Sequence, residues 1–251
     1  MTNSSPRSVL VCLHGWGGSK ESFTELRAAL QGSDIEVLTP DLPGFGSEPE
    51  PNTPWTNDDY ANWTASWIEK NVSILNSQFS ILGHSHGGRI AMKLAIRQTP
   101  KPPNLQTIKH LFLCAPAGIR HGRHFKRMFG LTLAKTGKFF LSIPGLRALA
   151  PLAKKLLYKL VRVHDYEKAS DVMRQTMINV TKEDFRPLLK DVNTKTDLFW
   201  GTDDGMTPYS DALLMEKSLP NVTLHTYPGI HHRVHRDKAQ EIATIIRQTL
   251  A

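Results

Sequence analysis

The stretch ILGHSHGGRI (residues 81–90) decides the fold prediction, because it places one serine in a glycine-rich turn between two kinds of secondary structure. Gly83, Ser85 and Gly87 form the pattern G-x-S-x-G. The apolar run FSIL before it is typical of a buried strand, and RIAMKLAI after it is typical of a helix. A strand, a sharp turn and a helix would lift Ser85 Oγ above the carboxyl edge of a sheet. Glycines on either side leave room for such a strained turn.

Outward from this turn, strand-like and helix-like segments alternate along the chain. Apolar and β-branched runs predict six strands, at 8–15, 35–46, 79–85, 110–118, 196–204 and 221–229. The second of these ranges ends in a Pro/Gly loop. Helical periodicity predicts helices at 22–32, 58–72, 87–98 and 237–250. Such alternation predicts an α/β fold with a mostly parallel central sheet and helices on both faces.

The segment between the fourth and fifth predicted strands shows no strand pattern and is apolar and basic at helical spacing. We therefore predict a core of residues 1–117 and 190–251, interrupted by a helical insertion over 118–189. Between Gly118 and Lys168 there are twelve Lys or Arg and only two acidic residues, whereas the whole chain has a net charge of +8. A local basic patch attracts an anionic partner or simply keeps the surface solvated, and both interpretations stay open.

Composition restricts the class of protein. The chain is 40% hydrophobic and 22% charged, which is ordinary for a soluble globular protein. Its two cysteines, Cys12 and Cys114, lie in apolar runs, so we expect buried reduced thiols and no metal site. No apolar stretch is long enough to cross a bilayer, and the N-terminus lacks a signal-like pattern. We expect a cytoplasmic location and no cofactor.

A nucleophilic serine needs a base, and the base needs an orienting acid. Two polar segments follow predicted strands: WGTDDGMTP after the fifth and YPGIHHRVHRD after the sixth. Because the carboxyl ends of parallel strands meet at one edge of a sheet, we expect both segments to lie near Ser85. The residues alone leave several candidates open for the acid and the base: Asp203 and Asp204, and His231, His232 and His235.

The chain resembles the α/β-hydrolase superfamily, in its serine-hydrolase branch with a helical cap. The resemblance covers nearly the whole chain outside residues 118–185 and implies that the predicted insertion is the cap. It rests on segments that occur in the family's order at predicted strand ends: LHGWGG (13–18), PDLPGFGSE (40–48), GHSHGG (83–88), and FWGTDDGMTP (199–208) with PGIHH (228–232).

The family pattern implies a choice among the acids and histidines. The family's W-G-x-x-D, followed by a proline four residues after the acid, implies Asp204 as the acid rather than Asp203. The family's histidine usually follows a small residue and precedes an acid by about five positions. His232, which stands five residues before Asp237, is therefore the implied base, although His231 replaces the usual glycine.

The resemblance also implies Ser85 as the nucleophile and an oxyanion hole made by two backbone N–H groups. One belongs to Trp16 in the loop after the first strand, and the other to His86, which follows the nucleophile. Neither imidazole beside Ser85 is expected to act as the base, because the turn projects Oγ alone. His84 is expected to pack under the sheet. Structural loop roles are predicted for three further residues: His14, Asp41 and Ser47.

These residues imply a serine hydrolase that cleaves carboxylic esters, lactones included, through an acyl-enzyme. A C–C bond hydrolase and an acyl-thioesterase use the same triad and stay open as alternatives. A ligand receptor on a hydrolase scaffold is an alternative of another class. The expected partner is a small-molecule ester.

The basic insertion leaves room for an anionic acyl carrier, in loose similarity to pimeloyl-ester carboxylesterases, whose caps receive a carrier protein. Contact with a membrane surface is less favoured. No nucleic acid is expected, since no aromatic-basic binding motif occurs.

Overall fold

The computed structural model describes residues 8–72, 78–98, 107–121 and 169–251. Every strand predicted from the sequence overlaps a strand of the structure. In chain order they are β1 (Ser8–Leu13), β2 (Ile35–Leu38), β3 (Gln78–His84), β4 (Thr107–Cys114), β5 (Thr196–Gly201) and β6 (Val222–Tyr227). They form one sheet in the order β2-β1-β3-β4-β5-β6, and every neighbouring pair is parallel. The predicted parallel α/β fold is confirmed. The strand order reverses between β1 and β3, where open sheets of this kind build their sites.

Seven α-helices connect and flank the described strands. They are α1 (Thr24–Leu30), α2 (Asn57–Asn71), α3 (His86–Ile96), α4 (Asp171–Lys182), α5 (Tyr209–Ser218), α6 (Val234–Asp237) and α7 (Ala239–Leu250). Short 3-10 turns occur at Lys20–Phe23 and Arg186–Asp191. One group of helices packs α2 on α3, and the other packs α1 on α6 and α7, so the sheet lies between two helical layers.

Helix α5 was not predicted from the sequence, because its pattern lacks a clear amphipathic period. Its apolar residues include the consecutive run Ala212–Met215, which would cover all sides of a helix rather than one face. In the structure the helix begins after Pro208 and packs against β5 and β6. Tertiary packing therefore defines this helix more than its own periodicity does.

The central strands form the core. All residues of β5 are buried, and so are residues 9–13 of β1. Strands that are covered on both faces account for the near-continuous apolar runs in the sequence. Cys12 and Cys114 are both buried and free, as expected, and burial raises the pKa of each thiol. They pack as small apolar side chains.

The end of the predicted insertion packs on the core through α4. Arg89 of α3 is buried and donates from Nη1 to the carbonyls of Val180 (3.0 Å) and Glu183 (3.2 Å). Asn57 donates to the same Val180 carbonyl at 3.0 Å. The last turn of α4 is thus fixed to the helix that begins beside Ser85. Residues 122–168, which hold most of the predicted cap and its basic run, lie outside the described residues, and the domain boundaries stay a prediction.

Candidate active site

Ser85 lies on a strained turn between β3 and α3. Its backbone angles are φ 52° and ψ −110°, and positive φ is unfavourable for a residue other than glycine. The Ser85 N–H donates to the carbonyl of Cys114 at 3.2 Å, and the Ser85 carbonyl accepts from the N–H of Ala117 at 2.9 Å. The end of β4 and the loop after it therefore fix the turn, and with it the direction in which the serine side chain leaves the sheet.

The glycines of the motif are required where α3 meets the sheet. A Cβ atom on Gly83 would lie 2.6 Å from the carbonyl oxygen of Gly87. A Cβ atom on Gly87 would lie 2.0 Å from the carbonyl oxygen of Leu13 in β1. Both neighbours are backbone atoms, which cannot rotate away as a side chain can. Glycine at these two positions lets α3 start directly against the ends of β1 and β3.

Asp204 lies in the loop after β5 with both carboxylate oxygens hydrogen-bonded. Oδ1 accepts from the N–H groups of Met206 (2.7 Å) and Thr207 (3.0 Å). Oδ2 accepts from the Thr207 hydroxyl (2.8 Å) and from Nδ1 of His232 (2.7 Å). Burial opposes ionisation, but the His232 hydrogen bond and charge, together with the Met206 and Thr207 donors, outweigh it and lower the pKa of Asp204. The carboxylate is thus held ionised and oriented.

His232 lies in the loop after β6 and points Nδ1 at this carboxylate. Because Nδ1 binds Asp204, the other ring nitrogen, Nε2, is left for a different partner. The loop reaches the acid because β5 ends in glycine, since a Cβ atom on Gly201 would lie 2.0 Å from the carbonyl oxygen of Ile230. The structure therefore brings together the acid and histidine that the family pattern implied.

The two competing candidates join the acid loop to the histidine loop. The Asp203 N–H donates to the Ile230 carbonyl at 3.1 Å. Nδ1 of His231 donates to the Asp203 carbonyl at 2.7 Å. The Asp203 carboxylate accepts from its neighbour Thr202. Asp203 and His231 thus position the Asp204–His232 pair and do not form a pair of their own.

Two further buried histidines, His84 and His235, pack beside the loop that carries His232. His84 donates from Nε2 to the His232 carbonyl at 3.0 Å. Its ring centroid lies 3.9 Å from that of His235, in α6, and 4.8 Å from that of His232. His84 was expected to pack under the sheet; it is buried, and its ring contacts the histidine loop. Burial and the neighbouring imidazoles lower the pKa of His84, and burial is the main cause that lowers the pKa of His235 to about 3.

The loop after β1 is tied down by His14, as predicted. The Leu42 N–H donates to Nε2 of His14 at 2.9 Å, while Nδ1 donates to the Gly15 carbonyl at 2.8 Å. These bonds define a neutral ring, and burial lowers its pKa. Asp41 accepts from the backbone of Lys20 (2.6 Å) and of Ser47 (2.9 Å), which links this loop to the loop after β2.

Several donors near the turn have no partner in the described part of the chain. No acceptor is found there for the backbone N–H of Trp16 or of His86, and Ser85 Oγ makes no hydrogen bond. His86 is the first residue of α3, and the N–H groups of a first helical turn have no intrahelical partner. The Trp16 and His86 rings lie edge to face, with centroids 5.6 Å apart.

The described residues contain no candidate metal site and no candidate membrane span. No group of three or more histidine, cysteine or acidic side chains there is arranged to hold a metal ion. None of the helices within those ranges combines the length and the apolar character that a membrane span requires.

The sequence profile of the "Alpha/beta hydrolase family" matches residues 10–245 of the chain. Because this match covers most of the sequence, the chain belongs to the alpha/beta hydrolase family. The identification agrees with the parallel sheet and with the glycine-flanked serine turn at its edge.

Several known proteins are similar to most of this chain, and two of the three described next are named as esterases. The biotin biosynthesis bifunctional protein BioHC of Teredinibacter turnerae is 25% identical over 97% of this chain, which spans 45% of that longer protein. A pimeloyl-[acyl-carrier protein] methyl ester esterase of Shewanella woodyi is 28% identical over 91% of this chain and 90% of that protein. The solved structure of an esterase from Exiguobacterium antarcticum superposes with a TM-score of 0.70 at 19% identity, covering 97% of this chain and 91% of that chain. At that identity, the structural likeness supports the fold.

Thr207 is the residue of the site that sequence reasoning missed. Its hydroxyl lies 2.8 Å from Asp204 Oδ2 and 3.2 Å from His232 Nδ1, so it contacts both members of the pair. The available signal was the spacing D-x-x-T in DDGMT, which is typical of a carboxylate that accepts hydrogen bonds from the turn following it.

Proposed function

We propose that the chain is a carboxylic-ester hydrolase with Ser85 as the nucleophile, His232 as the base and Asp204 as the orienting acid. The observation that supports this most is the 2.7 Å hydrogen bond between His232 Nδ1 and Asp204, which leaves Nε2 free. Ser85, on its strained turn, follows β3 at the same carboxyl edge of the sheet. A free Nε2 and a projected serine hydroxyl are the two groups that acyl transfer needs.

In the proposed reaction, Ser85 Oγ attacks the ester carbonyl carbon while its proton passes to Nε2 of His232. Asp204 stabilises the imidazolium that results and holds the ring in place. The tetrahedral intermediate expels the alcohol, which takes the proton from His232. Water then cleaves the acyl-enzyme by the same proton transfers. The Ser85–His232 hydrogen bond forms when substrate is present, as is common for catalytic contacts that are long in free enzymes.

The N–H groups of Trp16 and His86 stabilise the oxyanion in this proposal. Both lack an acceptor among the described residues, which supports the role, since donors already bound to the protein would have to exchange partners. His14 and Asp41 hold the Trp16 loop from two sides, so this donor is positioned before substrate binds. Preorganised donors of this kind supply much of the rate enhancement in acyl transfer.

A carrier-bound ester is the second candidate substrate. Two observations favour it. Pimeloyl-[acyl-carrier protein] methyl ester esterases of two Shewanella species are 28% and 29% identical to this chain. The predicted insertion also carries twelve Lys or Arg between residues 118 and 168 against two acids, which suits an anionic carrier. A preference for the carrier-bound over the free methyl ester, weakening as salt is added, would support this candidate.

Hydrolysis of p-nitrophenyl esters from acetate to decanoate tests the main proposal. Ser85→Ala should reduce turnover by at least about a thousandfold. Ser80→Ala is a matched control, because Ser80 is a buried serine of the same strand that lies away from the turn. A folded wild-type protein that turns over no ester would contradict the proposal. Activity on thioesters or C–C substrates alone would favour those hydrolases, and ligand-induced melting shifts without turnover would favour a receptor.

A further inference from the structure

His86 has a buried imidazole whose polar atoms have no partner. The residue is 3% exposed, and neither Nδ1 nor Nε2 makes a hydrogen bond. A buried donor or acceptor without a partner destabilises a fold, so native proteins rarely retain one without a reason. An apolar side chain of similar size would fill this space without that cost. The unpartnered imidazole therefore requires an explanation.

The position of the ring suggests what its partner could be. His86 directly follows Ser85, and consecutive Cα atoms lie about 3.8 Å apart. Its ring meets Trp16 of the proposed oxyanion loop at a centroid distance of 5.6 Å and Tyr60 of α2 at 4.9 Å. Tyr60 already donates its hydroxyl proton to the carbonyl of Pro43 at 3.0 Å. Among these three rings, His86 is the one whose polar atoms are both buried and without a partner.

The ring is also neutral over the range of ordinary assays. Burial is the main cause that lowers the pKa of His86 to about 3, and the charge of Arg89 acts in the same direction. A neutral imidazole offers one N–H donor and one nitrogen acceptor. It can therefore bind a carbonyl or hydroxyl oxygen without introducing a charge beside the serine.

We propose that the His86 imidazole recognises a polar oxygen on the acyl group of the substrate. The favoured esters would carry a keto or hydroxyl oxygen a few bonds from the reacting carbonyl. The assignment rests on the proposed ester hydrolysis at Ser85. In it, the backbone N–H of His86 binds the oxyanion, while its ring selects the acyl chain. A site built to hydrogen-bond such an oxygen discriminates against the analogue that lacks it, because the protein's buried group is then left unpaired.

The test compares two p-nitrophenyl esters of equal chain length, the 4-oxopentanoate and the pentanoate. The ratio of their kcat/KM values is measured in the wild type and in His86→Leu. Because both esters meet the same enzyme, any general loss of activity in the variant cancels in this ratio. We expect the ratio to fall about tenfold in His86→Leu, the loss typical of one buried hydrogen bond. An unchanged ratio would overturn the proposal.

Tyr60→Phe is the matched control, since it removes from a neighbouring ring a polar group whose partner is within the protein. The ratio should stay unchanged in this variant. Thermal unfolding gives a further comparison, because His86→Leu removes an unsatisfied buried group and should not lower Tm. A residue kept only for packing would be expected to lower Tm and leave the ratio alone.

A readout without turnover separates this proposal from the function itself. The ring nitrogens of His86 can be followed by ¹⁵N NMR in histidine-labelled protein, with His86→Leu assigning the signals. Saturating 4-oxopentanoate should shift them, and pentanoate should shift them less. Equal responses, or none, would overturn the role of His86 whether or not esters are hydrolysed. A shift in a protein that hydrolyses no ester would keep the binding role and contradict the proposed reaction.

Discussion

Two buried carboxylates of this protein bind histidine, and they do so in opposite ways. Asp197, within β5, accepts from Nε2 of His110 at 2.7 Å on one oxygen and from Nε2 of His225 at 2.6 Å on the other. Asp204, beyond the end of the same strand, binds Nδ1 of His232 at 2.7 Å. Burial opposes ionisation at both, yet the hydrogen-bonding partners, of which histidine is the strongest, outweigh it and lower both pKa values, that of Asp197 to about 2.

The difference between the two clusters lies in their position and in the nitrogen that is used. Asp197 is the second residue of β5, so at about 3.3 Å per residue its cluster lies well over 10 Å from the carboxyl end of the strand. There it joins β4, β5 and β6 through their side chains. Asp204 lies where the loops converge and leaves Nε2 of His232 free. An Asp–His hydrogen bond therefore does not by itself mark a catalytic site.

Exchanging each carboxylate for its amide should separate the two clusters most strongly. Asp204→Asn should lower kcat on p-nitrophenyl esters by about 10⁴-fold, because an amide can donate to Nδ1 and so favour the wrong tautomer of His232. Asp197→Asn should leave kcat within about threefold, since its cluster is remote from Ser85. A comparable loss of kcat in a folded Asp197→Asn protein would break the comparison.

The candidate site at the strand ends could be predicted from the sequence, but the Asp197 cluster within the strands could not. Ser85, Asp204 and His232 each follow a strand, so parallel topology alone brings their segments to one edge. The Asp197 cluster depends on register, which pairs Asp197 with Phe112 and His225 with Phe199. A shift of one residue would turn its side chains to the other face of the sheet, and no local pattern specifies that register.

The same limit explains the other features that were missed. The six strands were predictable because buried strands leave apolar runs, whereas α5 lacks a helical period and forms by packing on β5 and β6. The contact of Thr207 with both Asp204 and His232 requires two loops to meet, and each loop is specified separately. Local patterns predicted the elements, while contacts between loops needed the structure.

The pH dependence of stability tests whether the Asp197 cluster stabilises the fold. The pKa of Asp197 is about 2 against an ordinary 3.8, which corresponds to about 2 kcal/mol of stability. Because this pKa is lowered on folding, the contribution is present above about pH 4 and is lost as pH falls through 2. Urea unfolding should show Asp197→Asn less stable than wild type at pH 6, with the gap closing between pH 4 and pH 2.

Asp34→Asn is the control for this measurement, because Asp34 is exposed and the substitution removes the same charge from the surface. Its unfolding free energy should follow that of the wild type closely at each pH. A gap between wild type and Asp197→Asn that stays constant from pH 6 to pH 2 would show that packing, rather than the ionised carboxylate, stabilises the three strands.

The smallest expected effect concerns Thr207, which has no counterpart in the contacts of the Asp197 cluster. Thr207→Val keeps the shape of the side chain but removes the hydroxyl that lies 2.8 Å from Asp204 Oδ2. The Asp204 carboxylate would then have one fewer donor and hold His232 less firmly. We expect kcat to fall about tenfold with KM little changed, as for the loss of one charge-assisted hydrogen bond.

Thr207→Ser tests whether orientation is the cause, because it restores the hydroxyl and removes only a methyl group. It should recover most of kcat if Thr207 acts by positioning the pair. The pH profile of kcat/KM gives the second readout, since a less stabilised imidazolium should shift the acidic limb, along which activity rises as the general base loses its proton. If Thr207→Val lowers Tm, leaves kcat unchanged and leaves this limb in place, the hydroxyl stabilises the loop alone. The Asp204–His232 hydrogen bond would then orient the imidazole without help from the Thr207 hydroxyl.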